Sequence, residues 1–539
     1  MRLLGPLAHG WRRLTLLLAA ALLFSTSAHA LEQADAQVLA NGTNDERIPV
    51  LNRLATSGDE RAEKLIRAMA EEAVFTQGER VLIWQGEDAQ DAVTGETMPP
   101  ADDMSSIMIN NRMRGALQTA LAGLDLSAAD PARRVEAASR IRSSAFDDPD
   151  PEQLPLIEAA LARNDLQGEV RDLLVLAQAA ILLGDEDVAK RLAAAEKLGD
   201  ARQPVVKPLL ERRLEQESDD GVKAALKSSI ASVERSLALS SALAQVFSGV
   251  SLGSILLLAA LGLAITYGLM GVINMAHGEL IMIGAYATWL VQSFFRASLP
   301  EYFDWYLVAA IPAAFMASAM VGAIMERSVI RFLYGRPLET LLATWGISLV
   351  LMQLVRSLFG AQNVGVENPS WMSGNITLLG NLTLPWNRIL IIAFALMVLV
   401  GVTLLISRTR LGLFVRGVTQ NRPIAACMGV NTARIDTYAF ALGSGIAGLA
   451  GCALSQVGNV GPDLGQGYIV DSFMVVVLGG VGQLAGTVYA ALGLGLLSKF
   501  LEGWSGAVLA KIAVLVFIIV FIQKRPQGIF ALKGRSAEA

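Results

Sequence analysis

Three polar side chains stand close together in the stretch from Gly262 to Trp289, GLAITYGLMGVINMAHGELIMIGAYATW: Asn274, His277 and Glu279, with strongly apolar runs on both sides. An amide, an imidazole and a carboxyl so placed can donate and accept hydrogen bonds to a small solute. Ionisable groups within a membrane are functional suspects by default, because hydrocarbon penalises them. The same residues can instead form a turn between two spans, capping a helix that begins near Leu280 with acid in its first turn. A second set, Gln456, Asn459, Asp463, Asp471 and Ser472, surrounds a later apolar run and has the same two readings, solute path or local cap.

Catalysis by this chain is not expected. His277 is the one histidine beyond residue 30, so histidine-based metal or triad chemistry lacks its parts. No Gly-x-x-x-x-Gly-Lys-Ser/Thr run occurs, so ATP work must come from another chain. The run GSGIAG from Gly443 to Gly448 has dinucleotide-fingerprint spacing but sits inside an apolar span, without a βαβ context. Catalytic residues, metal, cofactor and nucleic-acid partners are therefore all expected to be absent.

The segment from Arg408 to Arg434 is too long and too mixed to be a plain connector. Its centre, RGVTQNRPIAACMGVNTARID, holds the small residues Ala425, Ala426 and Cys427 between the helix breakers Pro423 and Gly429. A short exposed helix fits it. From the residues alone, a solvated basic loop remains equally open.

Elements able to position these groups follow from composition. Hydrophobic residues make up 53% and charged residues 17%, and the apolar weight falls almost wholly after Val246, where runs approach the length that spans a bilayer. Spans are expected near 246–268, 273–293, 306–325, 338–358, 387–407, 436–457, 468–482, 484–500 and 507–523. The pairs at 246–293 and 468–500 are so close that one member of either can be broken or re-entrant, giving about eight to ten spans. Arg and Lys collect in 326–337, 408–434 and 524–535, which places these segments in the cytoplasm, while the 359–387 loop has neither and should face outward. Glycines such as Gly249, Gly253, Gly443, Gly448 and Gly451 should let helices approach closely.

Residues 1–30 read as a cleaved secretory signal: Arg12 and Arg13 precede the apolar run Leu14 to Phe24, and Ala28-His29-Ala30 supplies small residues for cleavage. An uncleaved anchor is the alternative. Residues 31–240 then form an exported, mainly helical domain, with amphipathic repeats resembling degenerate HEAT units and a small β-hairpin between Val74 and Met98. Its lack of cysteine means core packing alone must hold it. Residues 241–530 form the membrane domain and 531–539 a cytoplasmic tail. The fold class is thus an all-α polytopic membrane bundle preceded by a helical domain.

From Gln245 to Phe530 the wording, including VINMAHGEL, SFMVVVLGGVGQLAGTVYAA and KRPQGIF, resembles the permease subunits of ABC importers of the branched-chain amino-acid class. Within that class, a signal and an exported helical domain before the membrane core are similar to its urea-transporting branch. The resemblance implies an inner-membrane permease that pairs with a second, homologous permease, two cytoplasmic ATP-binding subunits and a periplasmic substrate-binding protein. It also implies that Arg416, Asn421, Arg422, Ala425 and Gly429, with the neighbouring Ala426, form the loop that docks into the ATPase. Urea is the implied cargo, with branched-chain amino acids or short amides as the alternative.

Overall fold

A computed structural model describes residues 31–530 apart from Gly58, 86–87, 100–103, Asn164, Gln167 and 379–381. The expected signal and the tail from 531 lie outside the described residues. The chain divides into two compact units between Leu237 and Ala238.

In the first unit, helices α1 (Gln33–Asn41), α2 (Asn44–Ser57) and α3 (Glu60–Ala70) precede a small sheet, and α4 (Asn111–Asp125), α5 (Pro131–Asp147), α6 (Leu154–Leu161), α7 (Glu169–Leu182), α8 (Val188–Ala201) and α9 (Val206–Gln216) follow it. Helix starts are written locally: Asp59, Asn110, Asp130 and Asp187 each accept a hydrogen bond from a first-turn N–H. One apolar face of each helix meets a shared core that includes Leu51, Leu65, Met113, Ile141, Leu174 and Leu210. Helix α4 packs on α5, α5 on α7, α6 on α7 and α7 on α8, a neighbour-to-neighbour stacking of the kind helical repeats use.

The expected hairpin is β1 (Val74–Gln77) with β2 (Arg80–Gln85), turning at Gly78, whose φ is +59°. It is larger than a hairpin, however. Strands β3 (Asp88–Asp91), β4 (Thr97–Met98) and β5 (Ser105–Ser106) complete an antiparallel sheet in the order β4-β3-β2-β1-β5.

Helix α10 (Asp220–Met270) runs 51 residues without a break, so the expected boundary at residue 240 falls inside a helix. After it come α11 (His277–Ser298), α12 (Tyr306–Ser328), α13 (Pro337–Phe359), α14 (Trp386–Arg408), α15 (Arg410–Gln420), α16 (Arg422–Cys427), α17 (Thr432–Ser455), α18 (Leu464–Gly479), α19 (Leu484–Ser505) and α20 (Ala507–Lys524). Eight described helices are long and apolar enough to cross a membrane. The remaining apolar helix, α18, has 16 residues, and at 1.5 Å per residue it reaches about 24 Å, short of the roughly 30 Å hydrocarbon core. Between α13 and α14, a short hairpin of β6 (Asn375–Leu378) and β7 (Leu382–Pro385) orders a loop that the sequence left without structure.

Glycine sets how closely these helices meet. A Cβ on Gly451 of α17 would lie 1.9 Å from the Ile281 oxygen of α11, and one on Gly284 of α11 would lie 2.2 Å from the Gly448 oxygen of α17. Backbone therefore rests on backbone, the packing mode available where lipid supplies no hydrophobic drive between helices.

Candidate functional site

The break between α10 and α11 lies inside the bundle. His277, the first residue of α11, bonds through Nε2 to the Ala259 carbonyl at 2.9 Å, and Ala259 precedes the end of α10 by eleven residues, roughly 16 Å of helix. Residues 271–276 therefore run back along α10 as non-helical backbone. Such backbone is tolerated at membrane depth where protein encloses it or it lines a cavity, the arrangement of discontinuous helices at transport sites. The turn expected near Leu280 starts earlier and deeper: Asn274 Oδ1 accepts from the Ala276 N–H at 3.1 Å, and Glu279 falls in the first turn of α11.

Asn274, His277 and Glu279 are all buried, and each keeps one buried polar atom without a partner: Nδ2 of Asn274, Nδ1 of His277 and Oε2 of Glu279. Because a carbonyl oxygen only accepts, His277 Nε2 must carry the hydrogen, which leaves Nδ1 of the neutral ring as an acceptor. The break thus presents one amide donor and two acceptors, and buried groups of this kind are normally satisfied. No ion pair involves Glu279 among the described residues.

Helix α13 faces this segment with hydroxyls at four-residue spacing, Thr340, Thr344 and Ser348, all buried. Thr344 Oγ1 accepts from the Met275 N–H at 3.2 Å, and Glu279 interacts with Ser348. Ser318 of α12 donates to the Leu280 oxygen at 2.9 Å. None of these four hydroxyl residues was singled out from sequence, although the Thr-Thr-Ser repeat on one face of an apolar span carried the signal of a polar face. Beside the break, a cavity of about 270 Å³ is lined by Ile273, Asn274 and Met275 and by apolar residues of α18 and α20.

The second set does not join this cluster. Gln456 belongs to a clamp: its Oε1 lies 3.1 Å from the Tyr306 hydroxyl, its Nε2 donates to Ser455, and its backbone oxygen accepts from Asn387. Tyr306 and Gln292 both donate to the Glu367 oxygen, at 2.7 and 2.9 Å, which fastens the loop before β6 to α11 and α12. Asn459 and Asp463 are exposed. Asp471 pairs with Lys511 of α20 at 3.5 Å beside a cavity of about 300 Å³, and Ser472 donates back along α18 to the Tyr468 oxygen at 2.7 Å.

Between Arg408 and Arg434 the short exposed helix expected between Pro423 and Gly429 is α16, and a second helix, α15, precedes it. Asn421 is the N-cap of α16, its Oδ1 accepting from the Ile424 N–H at 3.0 Å, and Gly429 ends α16 with φ +86°. Ala425 faces inward against Val415, Val418, Ile435 and Ala439. Arg422 pairs with Asp436 of α17 and lies over the Tyr334 ring, 5.0 Å from its centroid. Arg416 is exposed, as are Ala426, Ile424 and Met428, the last two 60% and 80% so.

The family described as branched-chain amino acid transport system, permease component, matches residues 245–523 of this chain, the segment that holds both the helix break and the α15–α16 pair. The chain belongs to that family. Curated relatives include the high-affinity branched-chain amino acid transport system permease protein BraD of Pseudomonas aeruginosa, 28% identical over 293 residues, covering 53% of this chain and 95% of that protein. The corresponding protein LivH of Escherichia coli K12 is 28% identical over 299 residues, and LivH of Salmonella typhimurium is 30% identical over 297, each covering 53% of this chain and 94% of the relative. These permeases are matched almost end to end by half of this chain, so the other half has no counterpart in them. No solved structure matches the chain. As an ABC importer permease with eight spanning-length helices among the described residues, it is a multi-pass inner-membrane protein.

Proposed function

We propose that this permease moves urea, a small neutral amide, delivered by a periplasmic binding protein and driven by two cytoplasmic ATPases, in partnership with a second, homologous permease. The observation that carries this reading is the set of unpaired atoms at the helix break. Urea offers N–H groups to Glu279 Oε2 and His277 Nδ1 and a carbonyl to Asn274 Nδ2. The carboxylate of a zwitterionic amino acid would find no Lys or Arg among the residues lining the cavity at the break, whereas urea needs only hydrogen-bond donors and acceptors.

Arg and Lys cluster at 326–337, 408–434 and 524–535, which puts α15 and α16 in the cytoplasm, where α16 would meet the ATPase. With α18 taken as a ninth crossing, its shortness met by local thinning of the bilayer, the first unit lies in the periplasm, following a cleaved signal. That unit, absent from the branched-chain relatives, sets this chain apart from them.

A second reading, branched-chain amino acids, is favoured by the names of those relatives and by the apolar cavity beside Asn274. Uptake of labelled urea and labelled leucine, measured side by side in cells lacking this chain and in cells with it restored, separates the two. Energy-dependent urea uptake with leucine unchanged is expected. Restoration of leucine uptake alone would overturn the urea reading and keep the importer.

A further inference from the structure

Glu326 is fully buried two residues before the C-terminal end of α12. Burial disfavours a carboxyl, and the negative end of the helix dipole disfavours an acid there. Three side chains from two other segments compensate. Thr437 of α17 donates to Oε2 at 2.7 Å, the Tyr334 hydroxyl donates to Oε1 at 3.0 Å, and Arg331 pairs with Oε2 at 3.2 Å while also donating to the Thr437 hydroxyl at 3.0 Å. Tyr334 carries the ring over which Arg422 of α16 lies, and Arg422 pairs with Asp436, the residue before Thr437. Burial pushes the Tyr334 hydroxyl well above its ordinary pKa, so it stays a donor.

These contacts form one connected set from α16, through the turn at 331–334 and the second turn of α17, to the end of α12. Helices α12 and α17 both pack on α11 at the helix break: Ser318 of α12 bonds to Leu280, and Gly448 of α17 meets Gly284. We propose that the Glu326 node, with Arg331, Tyr334, Thr437, Asp436 and Arg422 around it, is the mechanical link that transmits movement of α16 to the solute site. The six act as positioning residues and touch neither nucleotide nor solute. This assignment rests on the reading of α16 as the ATPase-docking helix. It adds a route inward, through two packed helices with charge-assisted contacts at their roots.

The test uses the whole transporter, with both permeases, both ATPases and the binding protein, in proteoliposomes. Uptake of the solute that wild type imports and ATP hydrolysis are measured on the same preparation. Glu326→Gln and Thr437→Val are expected to lower uptake about tenfold while hydrolysis stays within about twofold, a loss in the range of measured site-to-site couplings. Thr437→Ser, which keeps the hydroxyl, is expected to restore uptake. Parallel loss of uptake and hydrolysis, or of assembled transporter, would reduce the node to a structural staple, and unchanged uptake would remove it from the route. Uptake of leucine in place of urea by wild type overturns the substrate reading and leaves this test intact, because the readout is solute moved per ATP.

Discussion

The His277 ring at the start of α11 and the Ala259 carbonyl in α10 are joined by a 2.9 Å hydrogen bond, which fixes which ring nitrogen is left to accept. His277→Phe keeps the ring's bulk and removes both the tether and the free acceptor. The protein is expected to reach the membrane in normal amount, with the initial rate of urea uptake per inserted molecule down about tenfold, the effect of losing one buried hydrogen bond. An unchanged rate would take His277 off the solute path.

At the α15–α16 pair, exposure separates shape from contact. Ala425 is buried against α17, whereas Ile424 of the same short helix and Met428, its C-cap, are exposed apolar side chains. Ile424→Asp with Met428→Asp should leave the folded permease intact and abolish co-purification of the ATPase subunits. Ala425→Arg should instead lower the yield of folded permease, because its cluster has no room for the side chain. Retention of the ATPases by the double variant would show that another surface docks them.

The membrane spans were legible because hydropathy alone decides them: the 387–407 run became Trp386–Arg408 and the 507–523 run became Ala507–Lys524. The boundary expected at residue 240 follows a change of composition and lies close to the division between Leu237 and Ala238, whereas the continuity of α10 across it is not signalled by composition, because nothing there breaks the helix. From Lys223 to Met270 no proline intervenes, and the first glycine, Gly249, is tolerated within α10. In the site, Asn421 and Gly429 are caps whose chemistry is local and hence readable. The four-residue spacing of Thr340, Thr344 and Ser348 marks a polar face, but the inward turn of Ala425 and the convergence of Thr344 and Ser348 on residues 275–279 depend on which helices pack together.

Gly451 tests the backbone-on-backbone packing of α17 against α11. A single methyl there would lie 1.9 Å from a main-chain oxygen that cannot rotate away. Gly451→Ala is therefore expected to force α11 and α17 apart and to lower the thermal midpoint of detergent-solubilised protein by several degrees, a cost of about 1–3 kcal/mol. Gly493→Ala, at a position with no atom within 4 Å of an added Cβ, is the control and should melt as wild type does. Equal midpoints for the two variants would contradict the close approach.

In the first unit, Glu217 sits between α9 and α10 with its side chain 1% exposed, held by Arg191 at 2.9 Å and Arg213 at 2.9 Å and by the N–H groups of Ser218 and Asp219. Burial works against ionisation, but the two backbone N–H groups and the two guanidinium groups outweigh it and bring the carboxyl from 4.5 down to about 2. A depressed carboxyl pKa contributes stability that is fully present above the unfolded value and is lost as pH falls through the folded one. Glu217→Gln should therefore melt below wild type at pH 7, with the gap closing between about pH 4.5 and pH 2, the window set by those two values. Arg191→Ala, which removes one of the two guanidinium partners and leaves Arg213, should cost about 1–3 kcal/mol at neutral pH. A gap between wild type and Glu217→Gln that stays constant across that acid range, followed by thermal unfolding, would mean that the charge on Glu217 is not what joins α9 to α10.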